Sequence, residues 1–190
     1  MRILKILTIT IICGVFFTFC KNKPVRYEVE ATINNSVLDL SNSNLIQIPD
    51  LRHTKYEEVN LSKNRIDKLD FSKLPYTIKK LILSHNKLKG NISLRDKAYK
   101  LNFLDLSYNE INHFDSNYPL DTLKLNNNKL KGISCYVDNM KFLDISENRD
   151  LSNELDIPID KIKYIKRDNI RNDLPLKFKL NEIFKNRHNN

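Results

Sequence analysis

The residue types that ordinarily do chemistry are sparse and scattered in this chain of 190 residues. The four histidines are His53, His85, His113 and His188, and the three cysteines are Cys13, Cys20 and Cys135. A metal centre or a nucleophile and base pair needs such groups at set spacings, and the sequence has no C-x-x-C, H-E-x-x-H, G-x-G-x-x-G or G-x-S-x-G. With only three glycines, a glycine-rich phosphate loop is excluded. Each histidine therefore reads as a solvated surface residue, and Cys135, with no histidine recognisably related to it, as a small buried hydrophobe. No catalytic residue, metal or cofactor is expected, and the function sought is binding.

The elements that would position a binding surface are written six times. Aligned on an asparagine, the copies are "VLDLSNSNL" (37–45), "EVNLSKNRI" (58–66), "KLILSHNKL" (80–88), "FLDLSYNEI" (103–111), "TLKLNNNKL" (122–130) and "FLDISENRD" (142–150). The apolar residue three before the aligned position is Leu40, Leu61, Leu83, Leu106, Leu125 and Ile145, in steps of 21, 22, 23, 19 and 20. Within each copy two apolar residues two apart, such as Leu104 and Leu106, have strand periodicity. One such unit cannot bury that pair alone, but stacked units share a core.

This register resembles the leucine-rich repeat family, whose pattern L-x-x-L-x-L-x-x-N-x-L recurs every 20–29 residues. The resemblance implies an α/β-type repeat solenoid, a horseshoe or arc with short parallel β-strands on its concave face and a mostly extended or 3₁₀ convex side. It also implies that Asn64, Asn86, Asn109, Asn128 and Asn148 form a hydrogen-bonded ladder between coils, with Ser43 giving a looser turn in the first copy. A second apolar set, including Leu45 and Ile48, Ile66 and Leu69, Ile111 and Phe114, Leu130 and Ile133, should close each coil. Lead residues Tyr56, Ile78, Leu101, Leu120 and Met140 complete the core.

Strand positions facing away from that core form columns across the repeats. Of these, Glu58, Lys80, Ile82, His85, Phe103, Asp105, Tyr108, Lys124, Phe142 and Asp144 are the candidate partner-binding residues on the concave face. Large rings can anchor an interface, and neighbouring charges of both signs can orient a protein partner. The bland alternative is that isolated apolar residues on a surface need no explanation. The column Ser41, Ser62, Ser84, Ser107, Asn126, Ser146 reads as repeat consensus.

The net charge of +9 raises nucleic acid as a partner, but its location argues against it. Residues 1–19 carry +2 and residues 161–190 carry nine basic and three acidic groups, or +6, leaving +1 for 20–160. A repeat region so near neutral is no footprint for phosphate. The basic tail reads as a degenerate last repeat and cap, in which "LPLKFKL" (174–180) alternates like an edge strand, or as a patch for an anionic surface.

At the amino terminus, basic Arg2 and Lys5 precede an apolar run from Ile6 to Phe19 and then Cys20. The run has the length of a signal-peptide core and falls short of a membrane span. It resembles a bacterial lipoprotein signal, which implies lipid attachment at Cys20; Phe17, Thr18 and Phe19 stand where small residues are usual, and an uncleaved anchor is the alternative. The expected layout is a signal peptide (1–19), a lipid-attachment cysteine and polar tether (20–34), about six repeats (35–151), and a last repeat with cap and basic tail (152–190). The expected function is a non-enzymatic protein-binding module, monomeric and membrane-anchored in the bacterial cell envelope. The alternatives are a carbohydrate or envelope-polymer binder, or a structural envelope protein docking through its tail.

Overall fold

The computed structural model describes residues 36–94, 100–151 and 154–170. The expectations for the signal, Cys20, the tether and the tail from residue 171 onward, His188 included, lie outside the described residues.

Apolar residues two apart, followed by a turn every 19–23 residues, wind the chain into a parallel-strand β-solenoid of about six turns. The strands are β1 (Val37–Asp39), β2 (Glu58–Asn60), β3 (Lys80–Ile82), β4 (Lys89–Leu94), β5 (Phe103–Asp105), β6 (Glu110–Ser116), β7 (Thr122–Lys124), β8 (Gly132–Cys135), β9 (Phe142–Asp144), β10 (Glu154–Asp156) and β11 (Tyr164–Lys166). A long sheet of seven strands runs β1-β2-β3-β5-β7-β9-β11, and a return sheet of four runs β10-β8-β6-β4. Every pairing is parallel.

The core lies between these walls. The middle position of each long-sheet strand points inward: Leu38, Val59, Leu81, Leu104, Leu123 and Leu143 are buried in one column, and Leu61, Leu83, Leu106, Leu125 and Ile145 form the next. All five lead residues are buried, as are Ile48, Ile66, Ile111, Phe114, Leu130 and Ile133 of the closing set, whereas Leu45 and Leu69 are partly buried. Each fully buried aliphatic side chain contributes about 1.5–3 kcal/mol before entropy is subtracted.

The α/β expectation is met in part. Parallel strands and extended or 3₁₀ returns are present, with 3₁₀ turns at Phe71–Lys73 and Ile159–Lys161, but the described residues contain no α-helix. A coil that spends its residues on a strand, two turns and a return strand has none left for three helical turns, and Pro49, Pro75, Pro119 and Pro158 punctuate the returns. The sequence reading foresaw extended returns but not that four of them pair as a second sheet. There Ile92, Phe114, Ile133 and Leu155 stand in register as one column. The register of β4 and β6 shifts at a bulge whose extra residue is Asn112 in β6, and Gly90 stands across from it at φ +77°.

Candidate functional site

The turn that ends each long-sheet strand fixes how the outward side chains stand. Asp39, Asn60, Asp105 and Asp144, at the last strand position, each accept a hydrogen bond from the backbone N–H two residues on, at 2.9–3.1 Å. The next outward residue is left-handed in every coil: Asn42, Lys63, His85, Tyr108, Asn127, Glu147 and Asn169 have φ between 54° and 58°. Asparagine tolerates this conformation better than most residues, so Lys63, His85, Tyr108 and Glu147 are held there by their neighbours.

The asparagine ladder supplies the hold. Asn128 Nδ2 donates to the carbonyls of Leu106 in the preceding coil and Leu125 in its own, both at 3.0 Å, while its Oδ1 accepts the Ile111 N–H at 3.0 Å. Asn86, Asn109 and Asn148 repeat this pattern. Asn64 does so towards the first coil, accepting from both Ser43 and Leu45. Ser43 itself sits in a turn with a second left-handed residue, Asn44 at φ 56°, a form unlike the later turns.

On this frame the candidate residues gather on the outward side of the long sheet. Glu58 and Lys80 pair across neighbouring strands at 3.1 Å. The Phe103 ring lies between two cations, Lys80 Nζ at 5.4 Å and Lys124 Nζ at 5.6 Å from its centroid. Lys124 also approaches Asp105 at 3.9 Å. His85 and Tyr108 stack with centroids 4.1 Å apart and planes 10° from parallel, with Tyr108 46% exposed. Ile82 and Phe142 are half-buried on the same face. Asp105 and Asp144 are buried and serve the fold as well, since one oxygen of each accepts from a serine hydroxyl, Ser107 or Ser146, at 2.6 Å.

His85 reaches that face from the turn just after β3. Other residues stand elsewhere: His113 lies in return strand β6 with Nδ1 at 3.1 Å from Asn91 Oδ1. Cys135 is buried in β8, and burial, aided by Asp115, pushes its thiol up to about 12. Among the described residues no group of three or more His, Cys, Asp or Glu is placed to hold a metal ion, and no helix is long and apolar enough to cross a membrane.

Sequence reasoning missed Tyr164, which is 61% exposed and in register with Phe142, with Lys163 Nζ at 5.2 Å from its ring. The signal was its 22-residue step from Phe142. It was obscured because "YIKRDNI" puts Asn169 in the left-handed position and Ile170 where the ladder asparagine belongs. No protein-family model matches this chain.

Proposed function

We infer that this is a non-enzymatic binding module of leucine-rich-repeat type, which engages another protein through the outward face of the long sheet. The observation that carries this reading is the His85 and Tyr108 stack beside Phe103, itself held between Lys80 and Lys124. Rings fixed by neighbouring coils lose little freedom when a partner arrives, which is the condition for an energetic anchor. The apolar run before Cys20 supports export and lipid anchoring in a bacterial envelope.

A photo-crosslinking residue placed at Tyr108 in the native cell is expected to capture a protein, while one at Asn91 on the return sheet stays silent. Phe103→Ala and Tyr108→Ala should each then weaken binding by more than about 1 kcal/mol, roughly fivefold. Capture at Asn91 alone would move the site to the return sheet. In the same cells, an acyl label that disappears in Cys20→Ala supports the anchor, and an unlabelled full-length mass removes it.

A further inference from the structure

Strand β11 opens a further coil at the end of the long sheet. In each of the four coils with a return strand, the residue in the return column is Ile92, Phe114, Ile133 or Leu155. It comes 11–13 residues after the first residue of that coil's long-sheet strand, Lys80, Phe103, Thr122 or Phe142. Counted from Tyr164, that interval falls on Pro175, Leu176 and Lys177, and of these Leu176 is the one that can continue a column of large apolar side chains. It follows Leu155 by 21 residues, and the earlier steps along the column are 22, 19 and 22. Around it, Leu174, Leu176, Phe178 and Leu180 alternate with Pro175, Lys177 and Lys179, the two-residue period of a strand covered on one face.

Strand β10 is where such a segment would fit. Among the described residues it pairs with β8 alone, so its other edge carries no strand. The register that sets Leu176 beside Leu155 also sets Phe178 beside Ile157, a core residue 4% exposed, and Lys177 beside Asp156. A step of 19, with Leu174 beside Leu155, is the other register within the observed range. It sets Asp173 beside Glu154 and leaves Asp156 facing Pro175, so like charges replace opposite ones across the pair. A slip of one residue instead turns the lysines towards the core. The coil that β11 opens also has the marks of a last coil. Arg167 takes the position held by Leu125 and Ile145 in the coils before it, and Ile170 that of the ladder asparagine. The open end of a solenoid has to be covered. Proline is tolerated on an outermost strand, and edge lysines discourage another strand from adding.

We propose that residues 174–178 close the solenoid as a fifth strand of the return sheet, parallel to β10, with Leu176 in register with Leu155. Of the two readings of the basic tail, cap or patch for an anionic surface, this one makes the segment a cap and gives it a place. Its apolar residues extend the core, and Lys177 and Lys179 stand on the outward side. The proposal is independent of the binding-face reading, which concerns the long sheet.

Nuclear magnetic resonance of the full chain in detergent micelles tests it. Backbone proton contacts between residues 154–157 and 175–178 are expected in the 21-residue register. Amides of the segment that bond to β10 should exchange about tenfold or more slower than those of residues 186–190. Leu176→Asp should abolish this protection and speed exchange in β10 by about tenfold, while Asn189→Asp, the same charge change near the chain end, should alter neither. Should Leu176→Asp not fold, the contacts in the native chain decide alone. A segment whose amides all exchange at the open-chain rate overturns the proposal. Contacts with a strand other than β10, or in the 19-residue register, overturn it as well. Protection that rises with protein concentration would give the edge to a second copy. Protection that needs anionic phospholipid in the micelles would give the lysines to that surface, and either result overturns the cap.

Discussion

Asn128 holds two coils with one side chain, and its removal strands one buried backbone group and weakens the bonding of two more. In Asn128→Ala the Ile111 N–H loses its partner where water does not easily reach, while the Leu106 and Leu125 carbonyls each lose one donor and keep another, Asn109 Nδ2 and Asn148 Nδ2. At about 1–3 kcal/mol for an unsatisfied buried group, the loss should be about 2 kcal/mol. Urea unfolding measures it, and a loss below about 1 kcal/mol would show that the ladder is not what braces the turn. This column was legible because an asparagine at a fixed period leaves a plain mark in the sequence. The left-handed column beside it was not legible, because a backbone angle shared by Lys63, His85, Tyr108 and Glu147 leaves no common residue type. Cys135 gives a pH test at the same scale. Its thiol titrates at about 12 in the fold against 9.0 in the open chain, so between those values the folded state holds a proton that the unfolded state has released. The buried thiol's contribution is therefore fully present below about pH 9 and falls by about 1.4 kcal/mol per pH unit above it. Stability curves of the native chain and Cys135→Ala should converge or cross over that window; parallel curves would place the thiol in contact with water.

The long-sheet strands were readable from the alternation of apolar residues, with Leu104 and Leu106 inside and Phe103 and Asp105 on the outward side. The return strands were not, because their apolar residues lie at uneven offsets from the long-sheet strands, with Ile92 twelve residues after Lys80 but Phe114 eleven after Phe103. The bulge at Asn112, across from Gly90, absorbs one such mismatch. A Cβ at Gly90 meets no atom within 4 Å, so Gly90→Ala acts through backbone strain at φ +77° rather than through a clash. The expected cost is about 1–2 kcal/mol, and less for Gly90→Asn, because asparagine tolerates the left-handed region better. Equal losses in both variants, measured by thermal unfolding, would show that the bulge can relax into ordinary geometry.

Stacked coils touch mainly their neighbours, and so do most ion pairs among the described residues: Lys79 with Glu57, Lys129 with Glu110, Lys141 with Asp121 and Lys161 with Asp138 each join one coil to the next. All are exposed, and such pairs contribute little. Cohesion must come from the shared columns of leucine and the asparagine ladder, which makes stability a chain of coil-to-coil terms. A substitution then matters in proportion to the number of neighbours it loosens. Leu104 in β5 packs within the column between Leu81 and Leu123, whereas Leu38 in β1 has Val59 on one side only among the described residues. Leu104→Ala should cost about 3–5 kcal/mol, near the upper end for a buried leucine, and Leu38→Ala about 2 kcal/mol or less. Hydrogen exchange separates this from a single cooperative core. The expected result is that Leu38→Ala lowers protection in β1 and β2 and spares β7 and β9, while Leu104→Ala lowers it across the stack. Uniform loss of protection from either substitution would mean that the coils unfold as one unit, and that the repeats of the sequence are not repeats in energy.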